Sequence, residues 1–303
     1  MSAGGIAGPD SAATAIGAAA ALGSAASWAL GAVLFRRLGD RLRPIALTFA
    51  KGVVGALLLG ICVATVGYRP VSAQVWMLLV LSGLLGIAIG DTLFFLALNR
   101  LGAQAVVVMF TLGQVLTVLF AVLWLGERPD PFAWAGIVLI LSGVTTVMWS
   151  KLETDSGRTT LGGALYGLFS VLAMSVSVIV AKEAVSAAGS VQATFVRMLA
   201  GTAGIFLFGH LTGRLAGGFC ALREPRFLAF FLLSVAVVTF GGFWLAMVAI
   251  AHVDVAIANT LNGTEPLFVL PLAAVVLRER IGPAVLLGSL TSVAGIALVV
   301  APR

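Results

Sequence analysis

Charge is scarce in this chain. Lys, Arg, Asp and Glu together supply 10% of its 303 residues, against ~25% in soluble domains. With 60% hydrophobic residues and a mean hydropathy of +1.13, that poverty excludes an ordinary water-soluble fold, an unfolded polar chain and collagen. Cysteine is nearly absent: Cys62 and Cys220 lie in or beside apolar runs and make no disulfide scaffold. His210 and His252 stand alone, so neither a metal site nor any cofactor is expected. A membrane-embedded lipid-processing enzyme, the main alternative of a different class, would gather acids, His or Lys near one interface. Asp91, Glu183 and Glu265 are scattered instead, and no Gly-rich phosphate cradle with its Lys is present.

What is there is long apolar sequence. Runs bounded by charge, Pro or Gly fall near 12–35, 44–67, 75–98, 103–125 and 132–150, and again near 161–181, 190–211, 227–250, 254–277 and 283–301. Each is close to the ~20 residues that cross a bilayer as a helix. The runs from Val106 to Phe110 and from Val235 to Val238 are continuously apolar, unlike the alternation of a membrane barrel strand. The expected class is therefore an all-α integral membrane protein of ten spans. Its first run follows Asp10 without a basic leader and is read as a permanent span. The net charge of +6 then reflects orientation in lipid, and no nucleic-acid partner is expected. Both termini share a side with Arg69, Arg128 and Lys182, while most other cations face the opposite side, so the positive-inside rule favours termini outside.

The spans repeat. Shifted by 146 positions, Thr48-Phe49-Ala50-Lys51 falls on Thr194-Phe195-Val196-Arg197, Gly55 on Gly201 and Arg36 on Lys182. Shifted by 152, Gly90 falls on Gly242, Glu127-Arg128 on Glu279-Arg280, Pro131 on Pro283, Gly136 on Gly288 and Gly143 on Gly295. A longer connection around 214–226 accounts for the change of register. The chain divides into a first repeat, 1–150, and a second, 151–303. Each holds five spans, an odd number, so the second copy must enter the membrane from the opposite face. Inverted repeats of this kind are the frame of many secondary transporters.

The sequence resembles the ten-helix EamA type of the drug/metabolite transporter superfamily. Leu125-Gly126-Glu127-Arg128 and Leu277-Arg278-Glu279-Arg280 carry the resemblance, with the paired glycines that follow them, Glu265-Pro266-Leu267-Phe268, and Trp28 in the first span. Two positions depart from the pattern: Gln114 stands at the place of a proline, and Met174 stands opposite Trp28. In size and plan the chain is most similar to amino-acid exporters of the YddG kind. That likeness implies a multi-pass protein of the cell inner membrane exporting amino acids or similar small amphipathic metabolites, with other metabolites or drugs as the alternative cargo. It is compatible with a monomer. Small multidrug antiporters use an acid in the first span, and this first span has none.

Candidate binding residues follow from cost, because an ionisable group at mid-bilayer needs a partner or a wet cavity. Asn259, Asn262 and Glu265, spaced by three, would form a polar stripe on the ninth span. Pro266 after them removes one helical hydrogen bond. Thr111 and Gln114, which the repeat places opposite Gly263 and Pro266, would complete the cavity. Trp28, Phe94, Phe95, Phe110, Phe243 and Trp244 could wall it. Glu127, Arg128, Glu279 and Arg280 at the ends of spans four and nine are candidate gates. Asp91 has no acidic repeat mate, since Phe243 takes its place. For the repeat mates Lys51 and Arg197, reaching a substrate carboxylate or pairing with Asp91 competes with snorkelling to the headgroups, which is the leading expectation.

Overall fold

Alternating helices and short turns are all that this composition permits in lipid, where every backbone polar group must find a partner within the protein. The computed structural model describes residues 11–39, 41–152, 161–215, 218–265, 267–268 and 283–300, with the backbone alone described at 101–112 and some other positions. Among the described residues the fold is all helix. The first half comprises α1 (Ser11–Gly39), α2 (Pro44–Val66), α3 (Ala73–Gly83), a π-helical segment (Leu84–Asp91), α4 (Thr92–Trp124) and α5 (Pro131–Leu152). The second comprises α6 (Leu161–Ala188), α7 (Ser190–Leu211), α8 (Pro225–Ala236), a second π segment (Val237–Trp244), α9 (Leu245–His252), α10 (Val255–Asn262) and α11 (Pro283–Val300).

Six stretches are long and apolar enough to cross a membrane: Ala12–Gly31, Ile45–Val66, Ala73–Phe94, Leu161–Ala188, Ser190–Leu211 and Pro225–His252. Gly113–Trp124, Pro131–Gly143 and Leu286–Leu298 are shorter apolar helices. Large apolar side chains such as Leu57, Ile61, Leu123 and Leu211 point outward, while Ala21, Ala25, Ala181, Ala184 and Ala256 are wholly buried. That inversion suits a body whose solvent is hydrocarbon, where close approach of small residues holds helices together. The helix ends follow local chemistry. Asp130 accepts from the amides of Phe132 and Ala133 and starts α5, and Gly189, at φ 77°, links α6 to α7 alone.

Two differences from the sequence reading have physical causes. A boundary was expected between 98 and 103, yet the backbone stays helical from Thr92 to Trp124; no proline interrupts it, and Gly102 alone costs a helix only ~1 kcal/mol. The ninth span, expected to run unbroken from 254, stops at Asn262 and turns at Gly263 and Thr264. A proline at 266 lacks the amide that would bond the Asn262 carbonyl and crowds that same carbonyl. The break therefore comes four residues ahead of it.

Packing exchanges the halves. α2 lies against α7, and α5 against α11. α1 packs on the second π segment, α9 and α10, while α6 packs on the first π segment, α3 and α4. Each pairing is the repeat image of another. The match extends to single hydrogen bonds: Ser24 Oγ donates to the Gly242 carbonyl at 2.9 Å, and Ser170 Oγ donates to the Gly90 carbonyl at 2.8 Å. Ser24 and Ser170 are repeat mates, as are Gly242 and Gly90. A wide π turn shifts the bonding ladder by one residue and leaves carbonyls without their usual donors. In each half a buried serine from the other half supplies one. Above it, Trp28 covers Gly242 and Met174 covers Gly90 so closely that a β-carbon at either glycine would stand 3.0 or 2.7 Å from the covering side chain.

Ser24→Ala and Ser170→Ala should each destabilise the protein by about 1 kcal/mol, and the two losses should add because the sites are separate. Thermal unfolding of the detergent-solubilised single and double variants measures this.

Candidate functional site

Among the described residues, three clusters gather the candidate site's buried polar groups. The first lies where α10 crosses α4. Asn259 Nδ2 donates to the Gln114 carbonyl at 3.2 Å, and the Gln114 side chain lies over Gly263, where a β-carbon would sit 3.0 Å from its Cγ and Cδ. The glycine at the α10 break thus makes room for the glutamine of the opposite half. Gln114 Oε1 and Asn262 Oδ1 are buried without a hydrogen-bond partner. Glu265 follows the turn, and among the described residues no cation lies within salt-bridge range of it. The expected stripe is thereby corrected: Asn259 and Asn262 belong to α10, while Glu265 stands beyond a turn, on a new segment. A broken helix with free amide oxygens and a carboxylate is a common way to build a solute site at mid-membrane.

The second cluster centres on Lys51. Its ammonium lies 3.2 Å from Asp91 Oδ2, both residues being buried, and 5.9 and 5.2 Å from the ring centroids of Phe35 and Phe243. Trp28 meets Phe243 edge-on, with centroids 4.8 Å apart. The expected snorkelling of Lys51 is therefore corrected, because a buried carboxylate within reach outcompetes a distant headgroup. Arg197 does not snorkel either. It is buried, with Nη1 at the Met247 sulfur, Nη2 donating to Ser177 Oγ at 3.1 Å, and Nε without a partner.

The third cluster lies where α9 ends and α10 begins. Glu127, just past α4, accepts from the amides of Val255 and Ala256 at 2.7 and 2.9 Å, capping α10. Lys182 of α6 donates to the carbonyls of Ile250 and Val253 at 2.6 and 2.8 Å, capping α9. A carboxylate at a helix start and an ammonium at a helix end both oppose the helix dipole favourably. Burial raises the Glu127 carboxyl above its ordinary range, partly offset by those two amides, with Asp254 adding to the rise and Lys182 to the offset. Arg128 beside it is exposed.

Of the expected site residues, Gln114, Asn259 and Asn262 meet in the first cluster and Trp28 in the second. Trp244 is on the second π segment, ring to ring with Phe240 and with its buried Nε1 unpartnered. Phe94 is half-buried. The side chains of Phe95, Phe110 and Thr111, and all of Glu279 and Arg280, lie outside the described residues. The helix-capping partners of Glu127 and the pairing serines were not singled out from sequence. Ser24 and Ser170 could have been, since the same shift that joins Lys51 to Arg197 joins them.

A raised Glu127 carboxyl binds its proton more tightly when folded than when unfolded. Stability at this end should therefore fall as pH rises from the ordinary carboxylate value of about 4.5 through the raised one. Glu127→Gln should flatten that part of the melting-temperature profile above pH 4.5, and an unchanged slope would assign it elsewhere.

Comparison with known proteins sets this geometry in context. Residues 15–149 and 161–301 each match the sequence model of the EamA-like transporter family. UDP-N-acetylglucosamine transporters of Rattus norvegicus and Mus musculus are 31% identical over 84 residues, covering 27% of this chain and 26% of theirs. The chain thus spans about a quarter of the length of the curated relatives it matches. A crystal structure, described only as that of a protein, superposes with a TM-score of 0.75 at 21% identity, covering 95% of this chain and 97% of its own; that likeness speaks to the fold. With two matched stretches accounting for most of its length, the chain belongs to the EamA-like transporter family, within the drug/metabolite transporter superfamily, and is a multi-pass membrane transporter of small molecules rather than an enzyme.

Proposed function

We propose that the protein exports amino acids or similar small amphipathic metabolites across the inner membrane by alternating access, its repeats 1–150 and 151–303 being inverted five-span halves. The observation that carries this reading is the pair of unpartnered amide oxygens, Gln114 Oε1 and Asn262 Oδ1, buried where the two halves cross. An unbonded amide in a dry interior costs ~1–3 kcal/mol, and a solute that donates hydrogen bonds repays it. Glu265 beyond the break supplies a second, separate carboxylate on the path. Trp28, Phe94, Phe95, Phe110, Thr111, Trp244 and Asn259 contribute the rest of the wall. The cap of α10 by Glu127 acts as the gate at one face, with Arg128 beside it, and the repeat assigns Glu279 and Arg280 the same task at the other.

The exchange of partners between halves supports the mechanism. Because α1 leans on the second half and α6 on the first, a rocking of one half against the other moves both contacts in opposite senses. A second reading, transport of nucleotide sugars, is favoured by the 84-residue similarity to UDP-N-acetylglucosamine transporters.

Uptake into proteoliposomes of labelled amino acids and of UDP-N-acetylglucosamine tests both. Amino-acid flux above that of protein-free vesicles is expected, falling about tenfold, the equivalent of one charged contact, in Glu265→Gln and severalfold in Asn262→Ala. Flux of the nucleotide sugar alone would transfer the assignment to the second reading, and equal entry into empty and loaded vesicles would remove both.

A further inference from the structure

The Lys51–Asp91 couple has no equivalent in the second half. At the repeat positions stand Arg197 and Phe243, and Arg197 is held by a thioether and a hydroxyl instead of an acid. The crossing of the second π segment with the helix beside it thus folds without a carboxylate. Asp91 is therefore not a packing requirement of this architecture. Burying an ion pair seldom stabilises a protein over an apolar substitute, and ionisable groups kept inside a membrane usually serve the solute.

The couple also sits where the halves meet. Asp91 belongs to the first π segment, while Phe243, 5.2 Å from the Lys51 ammonium, belongs to the second. The roof over the ion pair is thus made by the opposite half. Relative movement of the halves would uncover it, leaving Phe35, Phe243 and Trp28 as an aromatic wall beside one ammonium and one carboxylate.

We infer that Lys51 and Asp91 form the head-group site for a zwitterion, Lys51 taking the solute carboxylate and Asp91 its ammonium, with the solute's apolar side chain against Trp28 and Phe243. Net charge decides the specificity. A zwitterion aligned antiparallel to the couple adds two opposite charges and leaves the site neutral. A simple anion or a simple amine would leave one net charge in a medium that penalises it heavily. The assignment rests on the amino-acid reading above and adds to it the class of head group and the residues that read it.

Phenylalanine and its two single-charge analogues, 3-phenylpropionate and phenethylamine, make the test, as competitors of labelled phenylalanine uptake in proteoliposomes. The wild-type protein should prefer phenylalanine over either analogue by about tenfold or more, one charged contact's worth. Asp91→Asn should shift the preference toward 3-phenylpropionate, and Lys51→Gln toward phenethylamine. A pair that merely fastens α2 to the first π segment would not produce this crossover. Equal loss for all three compounds in both folded variants would overturn the inference. Where a single variant fails to insert, the swap Lys51→Asp with Asp91→Lys keeps the neutral couple. Phenylalanine flux falling about tenfold at an unchanged melting temperature supports the site, and wild-type flux overturns it. Absence of phenylalanine flux in the wild type would instead bring down the amino-acid reading itself.

Discussion

Backbone carbonyls that cannot turn to water set the terms of this structure. In both halves the third span loosens into a π turn, and in both the freed Gly carbonyl accepts from a buried serine of the other half. The same contact that satisfies a polar group therefore joins the repeats. Around it the glycines are sites of close approach: Gly83 and Gly86 lie under Arg197 and Ser177, and Gly201 lies against Ile87. No larger side chain fits there without displacing a neighbouring helix. What holds the halves together is thus a set of short hydrogen bonds and bare backbone faces.

Against that near-symmetry the charged residues are placed unevenly. Lys51 has Asp91, whereas its mate Arg197 has neutral partners. Trp28 has Met174 as its counterpart, and Gln114 stands where the repeat puts Pro266. Scaffold contacts obey the duplication, and the side chains assigned to the solute depart from it. A duplicated frame supplies two equivalent postures, while a single solute can occupy only one arrangement of groups between them.

Much of this was legible in the sequence. Apolar run lengths located, among the described residues, six helices long enough to span, out of the ten expected, and the two shifts, 146 and 152, aligned residues that pack as images of one another. Pro266 marked a lost helical hydrogen bond, but the span was drawn unbroken through Asn262 and Glu265, and the end of α10 at Asn262 was missed. The π segments left no trace, because a wider turn changes neither composition nor hydrophobicity along an all-apolar run. The Lys51–Asp91 contact joins spans 40 residues apart in sequence, and no periodicity reports which faces of two spans meet. The part played by Glu127 was hidden for the same reason, since its partners lie 128 and 129 residues away.

That last contact gives the start of α10 an electrical character of its own. While it holds, Glu127 occupies the first two amides of α10 and offsets the positive end of that helix. Drawn apart, it exposes a helix start worth about half a positive charge opposite a bare carboxylate, with water between them. In the gating proposed above, parting the two would therefore make that end of the protein more polar.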